Sequence, residues 1–453
     1  VLKPLQSFMK KNAKMQKNPQ SCQEACCLQG DSEFLGLGQF GLARLPEMHF
    51  GWGVRFQLLD RLLNQYQDAK LVVVTGSFLS RTGEFGDFLV KKLAENHNSV
   101  LHFVVSGEPS PELVDELVVQ CDPDTDVVIG LGGGSVLDAA KAIAGLIPSQ
   151  TSVMDYLEGV GRGKPFDVAT TPFIAVPTTA GTGSETTKNA VLSRLGQFKK
   201  SFRDEKLLAQ SVWLDPAFLP SVPTKTLYAT AMDAFTQLLE SYTTAKANPI
   251  TDALAWQGLS LFKGSLEVLL SEADDEQIQV AYEHLMLAAS LSGITLANAG
   301  LGAVHGLAGP VGAFFEAPHG EVCARLLAPI TQANIEAIQH VLQTGELPAI
   351  NEQGQPEPLS EAVRQRLTLT LQKYAQVGCL LAGEALTQVQ ALKHLVQQLQ
   401  DLTVQYVPEG LGQYGLREEN LTPVLENCRS GSMLGNPLPL PDNVLLQALR
   451  QAI

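Results

Sequence analysis

The word Gly130-Leu131-Gly132-Gly133-Gly134-Ser135 restricts this chain more than any other feature, because an apolar run (127–129) enters it and a helix-forming run through Asp138 and Ala142 leaves it. A strand must end, the backbone must turn tightly, and a helix must begin within six residues. Gly132, Gly133 and Gly134 let the main chain approach a ligand with no Cβ in the way. Ser135 suits the cap of the helix that follows. Free N–H groups and the helix dipole at such a start favour an anionic pyrophosphate. A turn that binds nothing satisfies the same pattern. The second word, Ala175 to Glu185 (AVPTTAGTGSE), supplies threonine hydroxyls and more glycines where another apolar strand ends at Pro177.

The surrounding pattern is that of alternating strands and helices. Strands are expected over 71–75 and 100–105, with helices over 54–66, 85–96 and 112–120, after a turn at Phe50-Gly51-Trp52-Gly53. Strands separated by helices of this length imply a parallel, doubly wound sheet. Ligands of such sheets bind at the carboxyl ends of the strands, where both glycine words fall.

After Asp215-Pro216 the grammar changes. Pro220 and Pro223 punctuate the chain, and helices are expected over 224–242, 250–270, 275–297, from 300 onward, and through 359–406, with a polar surface loop at 343–358. A boundary near residue 220 then separates an α/β half (46–220) from a helical half (221–453). Residues 1–45 differ from both. Lys3, Lys10, Lys11, Lys14 and Lys17 precede the first acid, Glu24, and apolar periodicity is poor, so a flexible extension is expected. The absence of an apolar core after the lysines argues against a secretory signal. Cys22, Cys26 and Cys27 lack the paired spacing of zinc modules.

Composition narrows the class. No apolar run spans a bilayer, and a formal net charge of −15 disfavours nucleic acid and anionic membranes as partners. Seven scattered cysteines in 453 residues do not make a disulfide scaffold and favour a reducing, cytoplasmic compartment.

The helical half holds a second constellation. Asp233 and Gln237, four apart, share one helix face, and His305 and His319 each stand before a glycine. One carboxylate and two imidazoles suit zinc, ferrous iron or a similar ion, with the Gln237 amide oxygen as a fourth donor. Taken singly, Asp233 reads equally as a salt-bridged surface acid, and each histidine as a hydrogen-bonded core or cap residue.

From about residue 46 onward the chain resembles the iron-containing (group III) alcohol dehydrogenase family. The resemblance rests on FGWG at 50–53, GGGSVLDAAK at 132–141, PTTAGTGSE at 177–185, DP at 215–216, MDAF at 232–235, VHGLA at 304–308, PHGEVCARLLAP at 318–329 and GNP at 435–437. It implies an α/β dinucleotide-binding domain, an all-α C-terminal domain, and a catalytic metal between them. By position, Gly132, Gly133, Gly134 and Ser135 would hold the pyrophosphate of NAD or NADP, with Asp138 on the nicotinamide side. Thr178, Thr179, Thr182 and Ser184 would line the cofactor channel, and Lys200 or Lys199 would reach the cofactor. Asp233, His305 and His319 would bind iron or zinc, polarise the substrate oxygen and so carry the catalysis.

Three departures from the family pattern matter. Gln237 stands where a fourth ligand, histidine, is usual, and Gly309 where a histidine often relays protons. Gly76 replaces the aspartate that usually ends the first strand, which makes NADP admissible. The expected reaction is reversible hydride transfer between the nicotinamide and a small, partly apolar alcohol or aldehyde, with Tyr156, Phe314 and Phe315 near the pocket and a homodimer as the assembly. Alternatives are a metal-free reductase of the maleylacetate reductase kind, favoured by basic side chains in the cleft, a lyase resembling dehydroquinate synthase, and a non-catalytic relative.

Overall fold

The computed structural model describes residues 39–77, 85–350 and 356–453; most of the expected extension, with Cys22, Cys26 and Cys27, lies outside them. Six strands form one parallel sheet: β1 (Glu47–Phe50), β2 (Lys70–Gly76), β3 (Ser99–Val105), β4 (Val127–Gly132), β5 (Phe173–Pro177) and β8 (Ser211–Leu214). Their order in space is β1-β8-β5-β4-β2-β3. The chain therefore builds outward from β2 to β3, returns to lay β4 on the other side of β2, and continues away. That reversal opens a crevice between the carboxyl ends of β2 and β4, at Gly76 and Gly132, where doubly wound sheets bind ligands.

Every residue of β4 is buried, as expected of a central strand covered on both faces. Side chains alternate between two cores. Leu71 and Val73 face α1 (Val54–Gln65) and α2 (Phe85–Glu95), whereas Val72 and Val74 face α3 (Pro111–Val118) and α4 (Gly134–Leu146). The sequence pattern missed the four-residue β1 and the antiparallel hairpin of β6 (Asn189–Arg194) and β7 (Phe198–Arg203). That hairpin carries Lys199 and Lys200, and its turn residue Gly196 donates its N–H to the carbonyl of Ala313 at 2.8 Å. Two of the matching words are structural. The buried carboxylate of Asp215 accepts from the N–H groups of Gly53, at 3.1 Å, and Ala217, at 3.0 Å, and so pins the 50–53 turn to the end of β8.

Beyond the short turn Pro216–Ser221 the chain is almost entirely helical. The main helices are α5 (Thr224–Thr243), α6 (Pro249–Phe262), α7 (Ser265–Leu270), α8 (Asp275–Ala299), α9 (Ala303–Phe314), α10 (His319–Thr344), α11 (Glu361–Ala382) and α12 (Gln388–Tyr406). The single helix expected over 250–270 is two, because Gly264 adopts a left-handed conformation (φ 78°) that no continuous helix allows. The expected loop at 343–358 contains the short ladder of Glu346–Ile350 with Pro356–Pro358; residues 351–355 lie outside the described set. Contrary to the expectation from hydropathy, α8 is long and apolar enough to cross a bilayer, yet 61% of its apolar window is buried inside the fold. Its hydropathy is that of a core helix packed beside α5 and α6.

Candidate active site

The two glycine words meet. A Cβ on Gly134 would lie 2.6 Å from Thr182 Oγ1, and one on Gly133 3.2 Å from Thr179 Oγ1. The glycines are therefore required by the packing of one loop on the other as well as by any ligand. The N-cap of α4 is Gly133, not the expected Ser135, and no side chain caps it. N–H groups of the first turn are left available for an anion.

Lys141, fully buried, bolts the two words together. Its ammonium donates to the carbonyls of Ser184 at 2.7 Å and Asn189 at 2.5 Å, and to the hydroxyls of Ser184 and Thr187. Asp138 lies 3.7 Å from that ammonium and accepts from Ser184 Oγ at 2.5 Å. Burial pushes the Asp138 carboxyl up and the Lys141 ammonium down, and their mutual attraction opposes both shifts. The second word also touches the helical half. Gly183 (φ 61°) sits so close to α8 that a Cβ there would lie 2.5 Å from Gly293 Cα.

Facing these loops, α5 presents Asp233, Gln237 and Glu240 on one side. Asp233 Oδ1 lies 3.2 Å from His305 Nε2, near the start of α9, and 3.8 Å from His319 Nε2, the first residue of α10. Cys323, one turn beyond His319, brings its Sγ to 3.6 Å from His305 Nε2 and 3.8 Å from His319 Nε2. These four side chains each offer a donor atom, and the atoms lie within 4.8 Å of one another. One carboxylate, two imidazoles and a thiol form a donor set that fits a divalent metal of borderline softness.

Glu240 orients the group. Its carboxylate accepts from His305 Nδ1 at 2.6 Å and from the N–H of Val304 at 2.7 Å. The first contact holds a proton on Nδ1 and turns Nε2 toward Asp233 and His319, so that loss of the Nε2 proton would leave a lone pair aimed at them. The second caps α9 from another helix, and Asn436 Oδ1 accepts from the Ala303 N–H at 3.1 Å beside it. Gly302 makes room: a Cβ there would lie 2.8 Å from Glu240 Oε1. Neither Glu240 nor Asn436 was singled out from sequence, although Glu240 follows Asp233 by two helical turns and Asn436 sits in the GNP word.

Burial pushes the Asp233 carboxyl up, but His319 and His305 beside it prevail and hold it at about 2. Burial pushes His305 down, and the surrounding Cys323, Asp233 and Glu240 overcome this to raise it well above the ordinary imidazole range. His319, with burial dominant, is lowered to about 4, and burial pushes the Cys323 thiol up to about 12.

A cleft of about 690 Å³ joins the two sides, lined by Gly134, Thr182 and Ser184 on one and by Gln237, His305 and His319 on the other. Ser135, Asp138, Lys199 and Lys200 are also on its wall. Gly76, Gly133, Thr178 and Thr179 are partly exposed at the strand ends beside it, and Gly132 is buried. Gln237 Oε1 accepts from Ser292 Oγ at 2.9 Å. Gly309 is on the wall with open space where a side chain would project. Phe314 lines the cleft. The expected Tyr156 does not, because its ring packs against Phe166 and Phe202 at 4.9 and 5.6 Å.

Comparison with known proteins decides the family. The profile of "Iron-containing alcohol dehydrogenase" matches residues 46–216, and that of "Fe-containing alcohol dehydrogenase family, C-terminal" matches 227–453. The chain belongs to the iron-containing alcohol dehydrogenase family. It is 30% identical over 412 residues to long-chain-alcohol dehydrogenase 1 of Geobacillus thermodenitrificans, covering 90% of this chain and 94% of that protein. It is 32% identical over 270 residues to the NAD-dependent methanol dehydrogenase of Bacillus methanolicus, covering 59% of this chain and 68% of that one. The solved structure of 1,3-propanediol oxidoreductase superposes with a TM-score of 0.75 at 24% identity, covering 92% of this chain and all of the other, and so shares the fold. As a member of the iron-containing alcohol dehydrogenase family, the chain is an oxidoreductase that interconverts alcohol and aldehyde with a nicotinamide cofactor and a metal.

Proposed function

We propose that the cleft holds the dinucleotide on the loop side, along Gly132 to Ser135 and Thr178 to Ser184, and a divalent metal on the helical side, between Asp233, His305 and His319. The observation that carries this reading is that one cleft is lined by Gly134, Thr182 and Ser184 and also by both histidines. In the same reading residues 46–220 form the dinucleotide-binding domain and 221–453 the metal-binding domain.

The chain's own residues divide the work. The uncapped first turn of α4 binds the pyrophosphate, and Lys141 with Asp138 keeps the two loops in register. Asp233 is a carboxylate at neutral pH, with its carboxyl held at about 2, and Glu240 holds the Nδ1 proton of His305, so that a metal displacing the Nε2 proton would meet lone pairs from both. A metal held by Asp233, His305 and His319 would supply Lewis-acid polarisation of a substrate oxygen, and a dinucleotide held along the glycine loops would supply the hydride chemistry. Phe314 gives the cleft an apolar wall that suits a small, partly apolar substrate and excludes water. Gly309 contributes no proton-carrying side chain, so the substrate proton would have to leave through water, a ribose hydroxyl or another group.

Gly76 ends β2 without a carboxylate, which supports use of NADP as well as NAD. The free cysteines Cys121, Cys323, Cys379 and Cys428 support a reducing, cytoplasmic setting. Among the described residues β1 is an edge strand with Phe50 and Trp52 exposed beside it, which supports a homodimer.

A metal-free reductase of an acidic substrate has one observation behind it, the basic side chains on the cleft wall. Lys188, Lys199 and Arg203 are neutralised by Glu205, Glu108 and Glu158, which leaves Lys200 and Lys246. Metal analysis of the purified protein, combined with NADH and NADPH oxidation against a panel of aldehydes and keto acids, separates the readings. Stoichiometric metal and turnover of small aldehydes are expected; metal-free protein with full turnover of a keto acid would overturn the proposal.

A further inference from the structure

The cysteines of the helical half do not behave alike. Cys379 and Cys428 donate their thiols to main-chain carbonyls, of Leu386 and Leu425, as does Cys121 to Leu117 in the sheet half. Cys323, fully buried, makes no such bond among the described residues; its Sγ faces the Nε2 atoms of His305 and His319 and the carboxylate of Asp233. Its position is set by the helix. His319 and Cys323 are four apart on α10, so their side chains stand one above the other on the face turned to α5 and α9.

Metal–nitrogen and metal–oxygen bonds of about 2.0–2.1 Å and a metal–sulfur bond of about 2.3 Å imply donor–donor edges of about 3.3–3.6 Å around a tetrahedral ion. Four of the six edges here are 3.2 Å (Asp233–His305), 3.8 Å (Asp233–His319), 3.6 Å (Cys323–His305) and 3.8 Å (Cys323–His319), and all six lie within 4.8 Å. An ion at the centre of this quartet would draw the donors together by about 1 Å or less along any edge. Gln237, the fourth donor expected from sequence, has its amide oxygen engaged by the Ser292 hydroxyl.

We propose that Cys323, as a thiolate, is the fourth protein donor of the metal site and biases it toward zinc and other thiophilic divalent ions over iron. This rests on the reading that Asp233, His305 and His319 hold a metal. On binding, the Sγ–H bond breaks, an Sγ–metal bond forms, and the proton leaves to solvent; no electron is transferred. Thiolate is a softer donor than the histidine the family usually has at position 237, and softness favours zinc. Asp233 and Cys323 form the buried back of the site, while both histidines are on the cleft wall. A substrate oxygen would therefore enter from the cleft side as a fifth donor, the expansion that catalytic zinc sites make in the transition state.

The test uses the full chain, stripped of metal and titrated with cobalt(II). Wild type is expected to develop a near-ultraviolet thiolate-to-cobalt charge-transfer band that saturates at one equivalent. Cys323→Ser should lack that band and bind cobalt at least about tenfold more weakly, since even outer-shell partners of metal ligands contribute that much. Its unchanged NADH affinity would show that the variant folds. His319→Ala should lose cobalt binding. Stoichiometric cobalt binding without the band in wild type, abolished by His319→Ala, would leave the metal site standing and overturn the thiolate. Persistence of the band in Cys323→Ser would overturn it too. Cobalt binding unaffected by His319→Ala would instead overturn the metal reading beneath it. Should Cys323→Ser fail to fold, X-ray absorption of zinc-loaded wild type decides: one sulfur at about 2.3 Å is expected, and a shell of nitrogen and oxygen alone would refute the proposal.

Discussion

The two sides of the cleft are built from different materials. The nucleotide side is main chain: glycines, an uncapped helix start and hydroxyls from two loops that follow neighbouring strands β4 and β5. The proposed metal side is side chain, with candidate donors drawn from α5, α9 and α10 and His305 oriented by Glu240. A main-chain site tolerates little added volume but asks nothing of distant residues. A side-chain site accepts exchange of one donor for another, provided a neighbouring position compensates. On the proposed reading, the thiol of Cys323 compensates in this way for the histidine missing at Gln237.

The sharpest way to break that contrast is at Lys141, where one side chain does support the main-chain side. Lys141→Met leaves Asp138, at the cleft wall, without its cation and the buried carbonyls of Ser184 and Asn189 without their donor, and removal of one partner of a buried pair costs up to about 3–5 kcal/mol. Chemical denaturation should show that loss, and Asp138→Asn in the same background should recover part of it. A smaller effect is expected at Glu240. Glu240→Gln keeps the shape but weakens the hold on the His305 tautomer, and metal affinity should fall about 10- to 100-fold. NADH affinity, measured by fluorescence titration, should not change. Gly134→Ala sharpens the contrast from the other side. Its Cβ would meet Thr182 Oγ1 at 2.6 Å, and overpacking of this kind costs about 1–3 kcal/mol. NADH affinity should drop while metal content stays at the wild-type level, and Thr182→Ala should relieve the defect.

The same contrast explains what could be read from the sequence. The glycine words stand at strand ends because strand, turn and helix are local events with local signals, so the α/β architecture and the cradle's place were legible. Gly264 was a legible stop that the apolar periodicity of 250–270 obscured. The β6–β7 hairpin lacked clean alternation, and so the fold's placement of Lys199 and Lys200 could not be derived. On the metal side, helical spacing paired Asp233 with Gln237, but the same logic applied to Glu240 and to His319 with Cys323. Nothing in one helix reveals which side chain of another it meets. Crossings of α5, α9 and α10 decide that Glu240 meets His305 and that Cys323 turns toward the histidines.

The central claim is that hydride transfer needs a metal on the side-chain half of the cleft while the nucleotide is held independently by the main-chain half. It is tested most directly in His319→Ala by measuring metal content, NADH affinity and aldehyde turnover on the same preparation. Metal is expected to be lost and turnover to fall about a thousandfold or more, since Lewis-acid stabilisation contributes several kcal/mol, with NADH affinity unchanged. Wild-type turnover from metal-free His319→Ala would contradict the account.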